Sequence, residues 1–328
     1  MLWSDEPQYR IILEMGINLF VVTALVSYAS SKDKVEVIIK GNVIAGIIFI
    51  GYLLYEVGFD NLLQIKYRLV LEYYNSNAVG IFLAISSISA TYLYFKNKKN
   101  SYLVLIAVFS VVILLTGSKK AIFSLVFGIA LYLLFREKRK KKVYLNIILV
   151  CAFVGLIMYL SFNVDFFYRI IGSRIDALKD TIFNKKIDES DGNRIMMIRY
   201  GIEWFKYNPI IGHGVGNYEV MLARTIGMET YSHNNYIELL VGVGIIGFLA
   251  YYSMYWFIAR KLIVIRKMDK DLIAFAMSIF FTLVIMEIGL VSYYSTTNQL
   301  VIALAFVIIR IVDPTKKRMV AIKGGITK

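Results

Sequence analysis

Nine times along its length the chain runs into an apolar stretch of about 20 residues, the span a helix needs to cross the hydrocarbon core of a bilayer. The stretches fall at roughly 11–30, 37–58, 77–95, 101–117, 119–135, 143–162, 234–258, 272–292 and 298–312. The last is short, and the first two are interrupted by Glu14, Lys40 and Glu56. In lipid every backbone polar group must be paired within the protein, so helices are the expected spanning element. A barrel would need alternating ten-residue strands, and the sequence does not contain them. Composition points the same way. Of 328 residues, 58% are hydrophobic and 18% charged, where soluble domains carry about 45–50% and about 25%. The expected fold class is all-α: one polytopic membrane domain over 1–328, a multi-pass transmembrane helix bundle. Residues 163–233 form a large extracytoplasmic loop expected to hold short amphipathic helices and to carry function.

The formal charge of +14 would suggest nucleic acid or anionic lipid if it were spread evenly. It is not. Segments 31–40, 96–100, 136–142, 259–270 and 313–328 hold 22 of the 37 basic residues and only five acids, a net +17, and the remainder nets −3. All five fall on one side of a nine-span arrangement. Basic flanks mark the cytoplasmic side of a plasma (inner) membrane, so the C-terminus is expected inside. No nucleic-acid partner is called for; the bilayer is the expected surroundings. An odd number of spans places the N-terminus outside and suggests further helices before it. The acidic opening MLWSDEPQYR lacks the basic region of a signal peptide.

Soft metal ligands are scarce. Cys151 is the single cysteine, which excludes an internal disulfide, an iron–sulfur cluster and a cysteine-based zinc site. His213 and His233 are the only histidines, and both lie in the long loop or at its edge. No metal and no cofactor is expected.

Within the loop, DGNRIMMIRYGIEWFKYNP reads as a helix capped by Asp191 or Asn193 and ended by Asn208-Pro209. Ile195, Ile198, Ile202 and Phe205 fall on one face; Arg199, Glu203 and Lys206 fall on another. Such a helix can rest on the membrane surface, or its Arg194 and Arg199 can face a membrane-proximal anion. Gly212, Gly214 and Gly216 then alternate; a flexible turn explains them better than a phosphate loop. Gly242, Gly244 and Gly247 are expected as close-packing positions between helices. Glu238, Glu287 and Glu56 are carboxylates within or beside spans, which makes them functional candidates.

Together these residues resemble the signature of the O-antigen polymerase/O-antigen ligase (Wzy-like) superfamily. The matches are Asn193-Arg194, Trp204-Phe205, Asn208-Pro209-Ile210-Ile211-Gly212, Gly214, Gly216-Asn217, His233-Asn234 and Gly244-Ile245-Ile246-Gly247. Asn75-Ser76-Asn77-Ala78 and Thr116-Gly117-Ser118-Lys119 fit two upstream pieces, and the resemblance runs from about 65 to 260. The family's Ser-Arg-Gly stands here as Ser118-Lys119-Lys120, which keeps a charge but loses the guanidinium fork.

The resemblance implies metal-independent glycosyl transfer on the outer face of the membrane. Its donor is an undecaprenyl-pyrophosphate-linked oligosaccharide, and its acceptor is a sugar hydroxyl of another lipid-linked repeat. His233 is the candidate base, and Arg194 is the first cation for the pyrophosphate. Arg199, Arg68, Lys119, Asn234 and Glu238 are candidate substrate-binding groups, while His213 reads as structural. A polymerase for capsule, O-antigen or exopolysaccharide is the leading expectation, with a flippase and a chain-length regulator of the same pathway as partners. An O-antigen ligase or a protein oligosaccharyltransferase would differ in acceptor. A lipid-linked-glycan flippase would instead show paired repeats or broken helices with mid-membrane charges.

Overall fold

The computed structural model describes residues 8–58, 69, 75–137, 139–183 and 189–313, and its regular structure there is entirely helical. The nine apolar stretches become α1 (Tyr9–Tyr28), α2 (Lys32–Val57), α3 (Ser76–Asn97), α4 (Ser101–Leu115), α5 (Lys119–Arg136), α6 (Lys140–Asn163), α10 (Asn235–Ile265), α11 (Lys270–Met286) and α12 (Thr296–Val312). Between α6 and α10 lie a short turn of helix with a π-turn (Asp165–Gly172), then α7 (Ser173–Phe183), α8 (Glu189–Tyr207) and α9 (Asn217–Ile226). Five of the helices are long and apolar enough to cross a membrane, and α4 and α12 are shorter apolar helices. The chain is a multi-pass helical membrane protein.

Capping residues set several boundaries. Ser31 starts α2 five residues before the expected apolar run, accepting from the Lys34 N–H at 3.4 Å. Asn75 accepts from Asn77 N–H (2.8 Å), Ser118 from Ala121 N–H (3.2 Å) and Asp269 from Leu272 N–H (3.3 Å). Each satisfies an amide that the helix cannot. The core forms where α5 packs between α3 and α11. Small residues permit the approach: a Cβ on Gly80 would collide with Ala121, and one on Gly128 with Ile88. Ser278 donates to the Gly128 carbonyl at 2.5 Å across the same contact. This is the small-residue packing usual between helices in lipid.

The described parts of the basic segments 31–40, 96–100, 136–142 and 259–270 gather at one end of the bundle, together with Asp313 at the end of α12. Lys32 pairs with Asp269 (2.7 Å), Lys261 with Asp313 (2.9 Å), Lys96 with Glu36, and Arg136 with Asp271. Arg310 donates to the Val26 and Ala29 carbonyls.

The span expected at 234–258 is not one straight helix. Gly244, at φ 62° and ψ −169°, breaks α10, in a backbone region open essentially only to glycine. In an unbroken helix the Ile245 and Ile246 amides would donate to the Val241 and Gly242 carbonyls. Here the 209–214 loop takes both sides of the break. His213 and Gly214 N–H donate to the Val241 and Gly242 carbonyls, each at 2.8 Å. Ile245 N–H donates to the Pro209 carbonyl (2.9 Å) and Ile246 N–H to that of Ile210 (3.3 Å). A Cβ on Gly212 would meet Val241 O, Gly242 C and Gly244 N at 2.6 Å, and one on Gly244 would strike the Ile210 carbonyl. Gly212 and Gly214 are thus part of a plug docked in a broken helix, not a flexible turn, while Gly216 starts α9 against Gln8 and Ile11. Gly242 and Gly244 receive a backbone loop, not a neighbouring helix.

Gly212→Ala and Gly227→Ala separate these effects. Both glycines have left-handed φ (71° and 73°), but only Gly212 is crowded, since nothing lies within 4 Å of a Cβ at Gly227. Gly227→Ala should cost roughly 1–2 kcal/mol, the left-handed penalty alone. Gly212→Ala should cost clearly more and lower the unfolding temperature in detergent further.

Candidate active site

Sequence order carries Arg194, the 231–234 segment and Lys120 to the end of the bundle opposite the basic segments. α8 places Arg194 there. The face of α8 that packs inward is Met197, Gly201 and Trp204, whereas Ile195 and Ile202 are exposed. Of the expected apolar stripe, Ile195 and Ile202 thus face outward, while Phe205 packs at the edge of the inward cluster. The reason is Gly201: a Cβ there would collide with Ile237 and approach Tyr218 at 3.1 Å, so the helix lies close on α9 and α10 along its glycine. Trp204 packs edge-on against Tyr218 (5.2 Å between centroids), and the Tyr218 hydroxyl donates to the Met197 carbonyl at 2.5 Å. A His213 ring nitrogen meets the Trp204 carbonyl at 2.9 Å, which gives His213 its structural role. Arg194 sits one turn before Met197 on this inward face, and Arg199 is exposed on another. The helix begins at Glu189, so Asp191 and Asn193 lie inside it.

His233 has φ 57°, left-handed and uncommon outside glycine. Residues on both sides impose it. Ser232 N–H donates to the buried Glu238 carboxylate at 2.9 Å, and Ser232 Oγ donates to the Asn234 carbonyl at 2.8 Å. The Tyr231 ring packs on the imidazole at 4.3 Å between centroids. Glu238 thus orients the loop through its backbone and does not bond the histidine. Asn234 caps α10, accepting from Tyr236 and Ile237 N–H, and donates to the Ile288 carbonyl at 3.1 Å.

The next residue, Asn235, is the joint between α10 and the 287–295 connection. Its N–H donates to the Glu287 carbonyl (2.9 Å) and its amide to the Tyr252 hydroxyl (3.0 Å). Its Oδ1 accepts from Ser292 and Tyr293 N–H at 2.8 and 3.0 Å. Beneath it the fully buried Glu287 carboxylate accepts from the hydroxyls of Tyr252 (2.9 Å), Tyr255 (2.7 Å) and Ser292. Glu287 is a packed structural carboxylate.

The cation that reaches this region is Lys120, not its neighbour. Lys120 bonds the Gly289 carbonyl and, with Tyr231, Asn75 and Asn77, lines a cavity of about 180 Å³. Lys119 is half-buried at the start of α5 and does not line it. The helices α3, α5, α10 and α12 all direct their N-termini to this end of the bundle, adding partial positive charge. Burial pushes the His233 imidazole down to about 4, and the positive charges of Lys120 and then Arg194 push the same way. The ring is neutral at pH 7. Burial also raises the Tyr231 hydroxyl, against the influence of Arg194. Among the described residues no three His, Cys, Asp or Glu side chains are placed to hold a metal ion. Arg68 lies outside the described residues.

Arg194 and the His233-Asn234 pair are signature residues, Lys120 and Tyr231 line the cavity beside them, and the 102–252 segment fits the family model described as O-antigen ligase. These residues belong to the O-antigen ligase/polymerase superfamily. A comparison with curated proteins gives no match. The O-antigen ligase segment runs from α4 into α10 and holds Lys120, Arg194, His233, Asn234 and Glu238. The match of this segment points to a membrane glycosyltransferase-like enzyme with O-antigen ligase/polymerase-type activity.

Lys120 and Asn235 escaped the sequence reading. Each stands beside a motif residue, Lys119 or Asn234, and only the helix phase distinguishes neighbours. Asn235→Ala should strand the Ser292 and Tyr293 amides, and an unsatisfied buried donor costs about 1–3 kcal/mol. The expected result is a lower melting temperature with faster proteolysis between α11 and α12.

Proposed function

We propose that the chain polymerises a surface polysaccharide, joining undecaprenyl-pyrophosphate-linked oligosaccharide repeats on the outer face of the plasma membrane. One observation supports this reading best. The Lys120 cavity continues into apolar space: it shares Ile81, Leu290 and Asn298 with a narrow gap, which in turn shares Ile85, Ile279 and Val301 with an apolar cavity of about 310 Å³ between the helices. A polar chamber with a lysine above a greasy shaft suits one ligand that is anionic at its head and hydrocarbon along its tail. Arg199, exposed on α8, is not part of that chamber, and Asn234 and Glu238 serve as positioning residues.

In this reading the acceptor hydroxyl oxygen attacks the anomeric carbon of the donor. The bond from that carbon to the phosphate oxygen breaks, and the lipid pyrophosphate leaves with the bonding pair. The hydroxyl proton passes to a neutral His233 ring nitrogen. Lys120 and Arg194 balance the charge on the leaving oxygen. In the free protein burial, and after it those same cations, hold the imidazole weakly basic. A bound pyrophosphate offsets them, so His233 becomes a stronger base only when donor is present. A flippase supplies the donor and a chain-length regulator acts alongside. The broken α10 does not favour a flippase reading, since the 209–214 loop pairs the Val241 and Gly242 carbonyls and the Ile245 and Ile246 amides that the break frees.

Strains carrying His233→Ala or Lys120→Ala should lose long glycan chains while still exporting single repeats. Long chains persisting in both would overturn the assignment, and repeats trapped on the inner leaflet would favour a flippase. With the purified protein, the acid limb of kcat/KM should lie nearer pH 4 than 6.5, because the free-enzyme imidazole protonates only as pH falls through its lowered value. Lys120→Gln should move that limb upward, by removing one positive neighbour.

A further inference from the structure

A second cleft flanks the His233 loop, separate from the Lys120 cavity. It lies where the start of α1 meets α9 and measures about 530 Å³, within the ~300–1,000 Å³ of ligand pockets. Its polar lining is Arg10, Glu219, Arg224, Glu229 and Gln8, with the Tyr294 ring on one wall. The two sites are close. Tyr231 lines the Lys120 cavity, and the Glu219 carboxylate on the far side adds to the burial that raises both the Tyr231 and Tyr294 hydroxyls.

We propose that this cleft is a carbohydrate subsite that takes an uncharged sugar of the acceptor glycan. Its charges decide the ligand class. Two carboxylates disfavour an anion, two guanidiniums disfavour a cation, and the few apolar side chains present, such as Ile11 and Val220, are too small for a greasy partner. What suits the set is a ligand with many hydroxyls and no net charge. Carboxylates accept from hydroxyls and guanidiniums donate to them, while an aromatic ring covers the C–H face of a pyranose. Tyr294 is held for that purpose. Its ring packs at 88° against Tyr293, and its carbonyl accepts from the Asn18 amide at 2.5 Å, tying it to α1. The role as acceptor site rests on the polymerase reading; the binding of a sugar does not.

The test uses the full chain in detergent micelles and saturation-transfer NMR with the methyl glycosides of glucose, galactose, mannose and N-acetylglucosamine. At least one should receive saturation. Tyr294→Ala should reduce that signal fivefold or more and the conservative Glu219→Gln threefold or more, whereas Lys120→Ala and His233→Ala should keep it. No signal from any glycoside overturns the proposal. So does a signal that survives both Tyr294→Ala and Glu219→Gln, or one lost with Lys120→Ala, which would place the sugar in the other cavity. Sugar binding at Tyr294 in a protein whose His233→Ala strain still makes long chains would sink the polymerase reading and leave the subsite standing.

Discussion

A backbone amide or carbonyl left unpaired in hydrocarbon costs several kcal/mol, and this protein breaks a spanning helix nonetheless. The break at Gly244 is tolerated because the 209–214 loop supplies two donors and two acceptors in register with it. Most of the site depends on that exchange. It anchors the end of α8 that carries Trp204 and fixes His213 against it. It also sets the outer part of α10, whose first turn holds the His233 loop through Glu238. The glycines at 212 and 244 are required by the closeness of two backbones, not by any ligand.

Above the break, the site is assembled from parts far apart in sequence. Asn235 joins α10 to the 287–295 connection. Lys120 joins α5 to the same connection through Gly289. Arg194 arrives on the glycine face of α8. The left-handed His233 is the point where these constraints meet, and residues held in such conformations persist only when their surroundings over-determine them. Burial and two cations keep its imidazole neutral, which suits the base role proposed for it.

Much of the fold was readable from hydropathy alone, because lipid allows so few alternatives. All nine apolar stretches are helices, with ends shifted by a few residues where Ser31 or Asn234 caps them. The site was readable as a region and less so as residues. The His233-Asn234 pair and Arg194 stand out by pattern, and the fold brings them to the same end of the bundle. Lys120 does not stand out, since adjacent lysines look alike until the phase of α5 is known. The isoleucines of α8 mark an outward face, as a helix resting on a membrane surface would show, but they do not reveal which face packs inward. Hydrophobic periodicity reports which face is apolar, but not that a single glycine, Gly201, lets another face pack more closely. The cleft at Tyr294 joins α1, α9 and the α11–α12 connection, and no local pattern links segments so far apart.

The order of the two halves of the α10 joint has a bearing on biogenesis. Chains emerge N-terminus first, so the 209–214 loop is made before the helix it completes. The pairing partner for the interrupted span already exists when that span is synthesised. A rearranged chain placing α10 ahead of the loop would ask an incomplete helix to wait in the bilayer with four polar groups open. The sequence order itself is therefore part of what lets the membrane accept a discontinuous helix.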